Sequence, residues 1–490
     1  MPADPAQEPY LADDDELTIV DLDATTVFSR VAARLRDPGA IKPQVRVDEV
    51  LRDLPSQLPV LGCHADALVD ELAHFASAFS RRNAQPGFLG FICSPGLPTD
   101  PIAQGVRALL NQNVSGPVSA PGATAIEQLV VRWFTDLCGL PGTSGGGFVS
   151  GGSMSNFIGL ASAIYDKAGD EALVQGIGQR DFVVYCSTQA HFSIERAVRT
   201  LGLGSRAVCK VASDPAFRMV PALLEAAIQH DLAQGKVPCA VVATAGTTVT
   251  GAIDPLPAIV AIARRHRLWL HVDAAYGGAA LLAPRLRARL GDFSEADSVA
   301  IDLHKWLYVA LDAGLILLRD PARTRRVFDF HSEYVDASQG NGEQGPGFLR
   351  LGLEASRPFR ALGPYWALRQ FGSKRLGRNI QFNADCARHL AACVRASSEL
   401  ELINEPELSI CCFRYRSSKL TEQEVDEVNQ RIRTTLELEG HHYLSPTRVA
   451  GRPILRVCLV SSATRPEHLR QLVQRVVQLG EQFSTQLRVV

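Results

Sequence analysis

Two neighbouring motifs decide the fold, LWLHVDAAYGG at residues 268–278 and DSVAIDLHKWLY at residues 297–308. The first opens with an apolar run of strand length that stops at the carboxylate of Asp273. The second repeats this pattern, stops at Asp302 and is followed by Lys305. Buried strands that end in charged residues are typical of an α/β sheet, which presents its chemistry at the carboxyl ends of its strands. The sequence therefore predicts an α/β fold with a functional site here.

A carboxylate and a lysine at two such strand ends suit one cofactor, pyridoxal phosphate. This cofactor needs a lysine for its Schiff base and an acid that keeps its pyridine nitrogen protonated, so that the ring can accept an electron pair. Lys305 and Asp273 would supply these groups. Each residue alone has an ordinary alternative, a structural strand-end aspartate or a solvent-exposed lysine. The two motifs in this order favour the cofactor site.

HVDAAYGG (271–278) followed by DLHKW (302–306) resembles the group II pyridoxal-phosphate-dependent amino-acid decarboxylases. That family includes aromatic amino acid, histidine, glutamate and cysteine-sulfinate decarboxylases, and the resemblance covers nearly the whole chain. It implies the aspartate aminotransferase-like fold of fold type I pyridoxal-phosphate enzymes. This is a mainly parallel central sheet with helices on both faces, an α+β C-terminal small domain and a helical N-terminal arm. It also implies Lys305 as the Schiff-base lysine and Asp273 as the pyridinium partner.

Three parts are predicted along the chain. They are a helical arm at 1–85, a cofactor-binding catalytic domain at 86–366 and the small domain at 367–490. Apolar residues at helical spacing predict arm helices at 27–36, 45–61 and 65–79. In the resembled family this arm wraps a partner subunit, which implies a homodimer with its active site at the interface. The alternative is a helical cap on the chain's own large domain.

A glycine- and serine-rich segment at 144–156 precedes the strand motifs. Glycines let backbone N–H groups approach an anion, and the N-terminus of the helix predicted from Asn156 would favour a phosphate there. The spacing matches neither standard nucleotide-binding glycine motif, so the segment alone is weak support. Its position resembles the family's phosphate cup. The resemblance places Ser153, the backbone N–H of Met154, and Ser155 around the phosphate.

The resemblance implies further cofactor-binding residues. His191 follows a predicted strand, and its imidazole would stack on the cofactor ring and contact the substrate carboxylate. A structural polar residue is the alternative for this histidine. Ala275 would lie under the opposite face of the ring, and Thr248 would touch a ring substituent. The remaining members of this set belong to the lysine motif and are Ser298, Asp302 and His304.

The segment QPGFLGF (85–91) resembles a substrate-pocket strip, and Gly87 and Phe88 are its candidate residues. Many relatives have a larger or charged side chain where Gly87 stands, so its absence leaves room. Phe88 would pack against an aromatic or apolar substrate side chain, with core packing as the alternative. The pocket strips show no basic residue that would bind an acidic side chain. This favours an aromatic or other bulky L-amino acid as the substrate.

A polar, glycine-rich run at 336–347 predicts a mobile loop. In the family's decarboxylases a tyrosine of this loop protonates the carbanion that CO2 leaves behind. No tyrosine lies between Tyr334 and Tyr365, and an ungapped count back from Arg357 puts Phe348 in that place. Phenylalanine cannot donate a proton, so this predicts reaction with oxygen to give an aldehyde, ammonia and peroxide. The alternative is that Tyr334, a partner-subunit group or water donates the proton.

Composition excludes several classes of function. The 490 residues carry a net charge of −2 without a basic block, which disfavours nucleic acid or an anionic membrane as a partner. No apolar run approaches the roughly 20 residues that span a bilayer, and the acidic N-terminus does not resemble a secretory signal. The 11 cysteines are scattered without CxxC pairs, which predicts reduced thiols, a cytoplasmic location and no metal site.

The predicted activity is decarboxylation of an L-amino acid, with release of CO2 and an amine. Decarboxylation-dependent oxidative deamination is the first alternative. An aminotransferase or another pyridoxal-phosphate lyase is the second. A non-catalytic protein that binds a different phosphate ligand in the glycine-rich cup is a third, from a different class.

Overall fold

The computed structural model describes residues 45–59, 65–330 and 347–489, together with residues 29, 30, 32, 33 and 41. Internal contacts divide the chain into two units, Met1–Arg82 with Leu438–His441, and Asn83–Glu437 with His442–Val490. The first unit contains helices α1 (Val47–Arg52) and α2 (Ala65–Ala78). Most of the helix predicted at 27–36 lies outside the described residues. The predicted domain boundaries at 85 and 366 stay predictions.

The second unit contains a seven-stranded sheet in the order β1-β7-β6-β5-β4-β2-β3. Its strands are β1 (Gly145–Val149), β2 (Phe182–Ser187), β3 (Val208–Val211), β4 (Val237–Thr244), β5 (Trp269–Asp273), β6 (Ser298–Asp302) and β7 (Gly314–Leu318). Strands β2 to β6 run parallel to one another, and β7 runs antiparallel to its neighbours β6 and β1. The prediction of a mainly parallel α/β sheet is confirmed.

Helices cover both faces of this sheet, as β2 illustrates. Phe182 and Val184 belong to one apolar core, whereas Val183 and Tyr185 belong to the other. Strands buried on both faces are typical of parallel sheets, whose crossover helices lie above and below. The helices of this part of the chain are α3 (Asp100–Leu110), α4 (Pro121–Leu137), α5 (Gly152–Ala168), α6 (Ala172–Gln175), α7 (Ser193–Thr200), α8 (Pro221–Ala233), α9 (Leu256–Arg265), α10 (Pro284–Leu290), α11 (Leu303–Trp306) and α12 (Pro321–Phe328).

The C-terminal part has the predicted α+β character. A four-stranded antiparallel sheet has the order β10-β11-β9-β8. Its elements are α13 (Leu362–Arg395), β8 (Leu400–Leu402), β9 (Ile410–Tyr415), α14 (Glu422–Leu438), β10 (Thr447–Val449), β11 (Arg452–Cys458) and α15 (Pro466–Val489). Within the described residues, no helix combines the length and apolarity needed to cross a bilayer.

Strand β9 contributes to two cores at once. Cys411 packs in the core of the small sheet, and the adjacent Cys412 packs in the core of the large sheet. The side chains of neighbouring strand residues point to opposite faces, which explains why the two thiols lie in different cores. The described cysteines are all free thiols.

Side chains near the ends of three helices make local hydrogen bonds. A capping box precedes α14, in which the Thr421 N–H donates to the Glu424 carboxylate at 2.7 Å and the Glu424 N–H donates to the Thr421 hydroxyl at 3.3 Å. Before α15, the Thr464 hydroxyl donates to the Pro86 carbonyl. Before α9, the Asp254 carboxylate accepts the N–H groups of Met219 and Thr244, and burial raises its pKa to about 6.

Candidate active site

A cavity of about 360 Å³ opens at the carboxyl ends of β2, β4, β5 and β6. This volume lies within the range of small-molecule sites. The residues that line the cavity are Ser150, Gly151, Gly152, Ser153, Asn156, His191, Thr244, Gly246, Thr248, Asp273, Ala275, Tyr276, Asp302, His304 and Lys305. The structure thus brings together eight of the residues singled out from the sequence, which are Ser153, His191, Thr248, Asp273, Ala275, Asp302, His304 and Lys305.

Lys305 and Asp302 form an ion pair at the end of β6. The Lys305 Nζ lies 2.8 Å from the Asp302 Oδ2. Burial alone would lower the pKa of Lys305, but the attraction and hydrogen bond of Asp302 outweigh it, so the pKa is raised. The lysine follows directly from the strand end, since α11 begins at Leu303. The cavity therefore holds a primary amine beside a carboxylate.

Asp273 is buried at the end of β5, with a donor on each oxygen. Its Oδ1 accepts a hydrogen bond from the N–H of Ala275 at 3.1 Å, and its Oδ2 accepts one from the side-chain amide of Asn156 at 3.0 Å. A carboxylate has about four acceptor positions, so it can accept a further hydrogen bond from a ligand. In the sequence, Asn156 only marks the start of a predicted helix. Its spacing of four from Gly152 was the available signal, because residues four apart share a helix face.

His191 is half-buried at the cavity wall. Its Nδ1 lies 2.7 Å from the hydroxyl of Ser193. Burial lowers its pKa, and this effect exceeds the opposing attraction of Asp273. A neutral imidazole therefore faces the cavity at neutral pH. Its flat, uncharged ring is suited to stacking on a heteroaromatic ligand.

The N-terminus of α5 forms the anion-binding end of the cavity. The N–H groups of Gly152 and Ser153 lie in the first turn, where a helix has no internal partner for them. His304 lies beside this turn and accepts the N–H of Ala313 on its Nδ1 at 3.1 Å. Burial lowers the pKa of His304, so the neutral ring carries its proton on Nε2. Backbone and imidazole donors therefore converge where a phosphate would lie.

Met154 and Ser155 do not line this cavity. The Met154 N–H donates to the Gly151 carbonyl at 2.9 Å, so it already has a partner. The Ser155 hydroxyl donates to the Leu315 carbonyl at 3.1 Å. The sequence prediction missed this because α5 begins at Gly152, four residues before the expected start, and rotates these two residues away from the cavity.

Ser298 also lies behind the cavity rather than in its lining. It starts β6, is fully buried and contacts the indole of Trp269 and the imidazole of His271. Trp306, the last residue of α11, is fully buried within its own chain, and its ring stacks on that of Tyr276 with the centroids 5.1 Å apart.

The candidate substrate-pocket residues have packing contacts instead. Phe88 is buried, and its ring stacks on Tyr443 with the centroids 5.6 Å apart. The Gly87 carbonyl accepts the N–H of Tyr443. Neither residue lines the cavity. The structure gives Phe88 the core-packing role that the sequence left open.

Phe348 is separate from the cavity as well. Its side chain is only 6% exposed and belongs to the large apolar core. The guanidinium of Arg357 lies 4.8 Å from its ring centroid. The interpretation of Phe348 as the residue in place of a loop acid is therefore not supported by its position. Tyr334, the other candidate, lies outside the described residues.

The residues present fit pyridoxal phosphate. Two buried polar atoms of the lining, the Thr244 Oγ1 and the Asp302 Oδ1, have no hydrogen-bond partner among the described residues. Unsatisfied buried polar atoms are rare, and a polar ligand in the cavity would give them partners. The helix N-terminus suits the phosphate, Lys305 suits the aldehyde, and Asp273 suits the pyridine nitrogen.

Comparison with known proteins agrees with this fit. The sequence matches the pyridoxal-dependent decarboxylase conserved domain over residues 102–416. It is 30% identical over 400 residues to an aromatic-L-amino-acid decarboxylase of Bacillus atrophaeus, over 81% of this chain and 82% of that protein. It is also 30% identical over 428 residues to an L-2,4-diaminobutyrate decarboxylase of Rhizobium meliloti (strain 1021), over 87% of this chain and 84% of that protein.

A crystal structure of Oryza sativa TDC with PLP and tryptamine has a TM-score of 0.88 and 26% identity, covering 95% of this chain and 99% of that chain. The conserved-domain match spans more than half of the sequence and includes both strand motifs. Together with the lysine, the carboxylate and the anion-binding turn in one cavity, this match confirms pyridoxal phosphate as the cofactor. The chain belongs to the group II pyridoxal-dependent decarboxylase family and is a carboxy-lyase.

Proposed function

We propose that the substrate is an L-amino acid with an aromatic or bulky apolar side chain, and that the products are CO2 and the amine. Pyridoxal phosphate, when bound, supplies the aldehyde that condenses with the substrate amine and the ring that accepts the electron pair left by CO2. Lys305 would hold the cofactor through its amine. Asp273 would keep a proton on the ring nitrogen, and His191 would contact the ring and orient the substrate carboxylate.

The observation that carries the proposed substrate class is an exposed aromatic ring next to the cavity wall. Phe192 is 60% exposed, and its ring centroid lies 4.1 Å from that of His191, which lines the cavity. This ring supports a substrate with an aromatic side chain, which would pack against it.

The charges of the lining favour the same class. Among the described residues, Asp273 and Asp302 are the only carboxylates of the lining, and the Asn156 amide and the Lys305 ammonium bind them. A cationic side chain such as that of diaminobutyrate would need an acid of its own to compensate for its desolvation. No further acid lines the described cavity.

A product assay across the L-amino acids in air tests this function, with CO2, amine, aldehyde and peroxide followed together. We expect aromatic substrates to give CO2 and amine in equal amounts. Aldehyde with peroxide in place of amine would establish oxidative deamination instead. Turnover of diaminobutyrate alone would contradict the substrate class, and absence of CO2 from every substrate would contradict the activity.

We propose Tyr334 as the proton donor to the carbon that loses CO2. It is the tyrosine nearest in sequence to the 336–347 run, and no other tyrosine lies between it and Tyr365. Tyr334→Phe is expected to reduce amine formation about 100-fold or more, in the range for loss of a general acid, and to divert product to aldehyde. Phe348→Leu is the matched control and should leave the ratio of amine to aldehyde unchanged. The same ratio in both variants would exclude Tyr334.

Gly152→Ala is expected to weaken cofactor binding at least about tenfold, because it disturbs the anion-binding turn. A Cβ at Gly152 would lie 2.8 Å from the Asp302 Oδ2 and 2.9 Å from the Ala275 Cβ. Gly142→Ala is the control, since a Cβ there meets nothing within 4 Å. Titration of the apoenzymes with pyridoxal phosphate measures the difference, and equal affinities would contradict this placement of the phosphate.

We also propose that the enzyme is a homodimer. Helix α3 exposes apolar side chains that a second copy would cover, and Leu109 is 87% exposed. Light scattering of the holoenzyme measures the assembly, and a monomer would overturn the proposal.

A further inference from the structure

A buried chain of hydrogen bonds runs behind the cavity wall. We name it the buried relay, and its members are Trp269, Ser298, His271, Asn156, Asp273, Ser193 and His191. Its centre is His271, which lies on β5 two residues before Asp273 and is fully buried. His271 does not line the cavity.

The donor and the acceptor of each hydrogen bond in the relay can be assigned by starting from Asp273. An ionised carboxylate only accepts, so the amide nitrogen of Asn156 donates to the Asp273 Oδ2 at 3.0 Å. The amide oxygen of Asn156 is then the acceptor that faces the Nε2 of His271 at 2.9 Å. His271 must therefore carry its proton on Nε2.

The other half of the relay is consistent with this tautomer. Burial lowers the pKa of His271 to about 4, so the imidazole is neutral at physiological pH and its Nδ1 is an acceptor. The Ser298 hydroxyl lies 2.7 Å from this Nδ1 and donates to it. The indole N–H of Trp269, which can only donate, donates to the same serine oxygen at 2.8 Å. Every member thus has a defined role.

One amide serves both proposed catalytic groups. The Asn156 nitrogen has two protons, one for Asp273 and one for the Ser193 oxygen at 2.9 Å. The Ser193 hydroxyl then donates to the Nδ1 of His191 at 2.7 Å, which leaves the His191 proton on Nε2. The carboxylate and the imidazole are therefore oriented by the same side chain.

The backbone makes room for His271. A Cβ at Gly159, on α5, would lie 2.6 Å from the His271 Nδ1. A buried imidazole is costly unless its nitrogens have partners, and here both have one. An apolar residue would fill this strand position without that requirement. The polar side chain therefore points to a role beyond packing.

We propose that His271 is a positioning residue that fixes the orientation of the Asn156 amide. Through this amide, His271 would orient Asp273 towards the pyridine nitrogen and His191 towards the cofactor ring. The proposal rests on Asp273 and His191 acting as proposed above. Without the His271 N–H, the Asn156 amide can rotate and present its oxygen to the Asp273 carboxylate, which repels it. The expected result is a lower affinity for the cofactor and a lower pKa of its ring nitrogen.

Two substitutions separate this role from packing. In His271→Gln the terminal amide reaches the position of Nε2 and can still donate to Asn156. In His271→Asn the shorter side chain reaches only Ser298. We expect His271→Asn to weaken pyridoxal phosphate binding about tenfold, the effect of one lost buried hydrogen bond, and to shift the pH titration of the holoenzyme's visible absorption band. His271→Gln should stay within about threefold of the wild type.

Thermal unfolding of the two apoenzymes is the control. Equal cofactor affinities and spectra for the two variants would overturn the proposal. The proposal would also be overturned if each variant lost affinity only in proportion to the fall in its unfolding temperature. If His271→Asn does not fold, Ser298→Ala replaces it, because removal of the hydroxyl takes away the hydrogen bond that fixes the imidazole at its Nδ1. That variant should shift the same absorption titration, and an unchanged titration would overturn the proposal.

The spectroscopic readout does not depend on the substrate. If the wild-type enzyme releases no CO2 in the product assay, the proposed function is contradicted. If His271→Asn and His271→Gln still show the predicted difference, the relay is supported all the same.

Discussion

Lys305→Ala is expected to remove the visible absorption of the holoenzyme and to reduce CO2 release by about 1,000-fold or more, within the range for loss of a catalytic group. The physical reason is the loss of the amine that, in the proposed site, would bind the cofactor covalently. The substitution also leaves the buried Asp302 without the ammonium that now lies 2.8 Å away. Absorption spectra and radiometric CO2 release measure the two effects.

Lys419→Ala is the matched control for this prediction, because Lys419 is an exposed lysine on the small domain. It should retain both the absorption and the activity. Retention of yellow colour and CO2 release in Lys305→Ala would exclude this lysine and require another residue to bind the cofactor.

Arg357→Met is expected to lower the free energy of unfolding by about 3–5 kcal/mol. Arg357 lies 2.6 Å from the Glu127 Oε1 and also donates to the carbonyls of Val114 and Phe148. Glu127 is fully buried, and its second oxygen has no partner among the described residues. Loss of the guanidinium would leave a buried carboxylate uncompensated. Thermal unfolding of the apoenzyme should show a midpoint lower by a few degrees.

The destabilisation should depend on pH. Burial raises the pKa of Glu127 above its usual value of 4.5 even though Arg357 opposes this. Removing Arg357 raises the pKa further, so the folded variant retains a proton that the unfolded chain releases. Stability then falls as pH rises above the ordinary glutamate pKa, and the deficit should be wider at about pH 8 than at about pH 5. Glu127→Gln combined with Arg357→Met should recover part of the loss, and no recovery would contradict the charge argument.

The strand motifs predicted the chemistry because their geometry is local. A strand that stops at Asp273 or Asp302 places that carboxylate at the sheet edge, whatever the rest of the chain does. Lys305 and His191 follow strand ends in the same way, and the structure places all four in one cavity.

The predicted site residues that do not line the cavity depend on helix orientation and on long-range contacts. An error of four residues at the start of α5 rotated Met154 and Ser155 out of the cavity. Phe348 was placed by counting along the chain, but its packing is decided by Arg357 and a distant strand. Asn156 acquires its role only when β5 folds beneath α5, and the sequence spacing does not show that contact.

Strand β9 couples the stability of the two sheets, because it packs in the cores of both. Cys411 and Cys412 point to opposite faces of β9 and pack in different cores, so separating the two sheets would expose one apolar face of this strand. Proteolytic cleavage between the two sheets should therefore release insoluble fragments rather than two folded ones. The small sheet thus completes the core of the large one, and the second unit should unfold in a single transition.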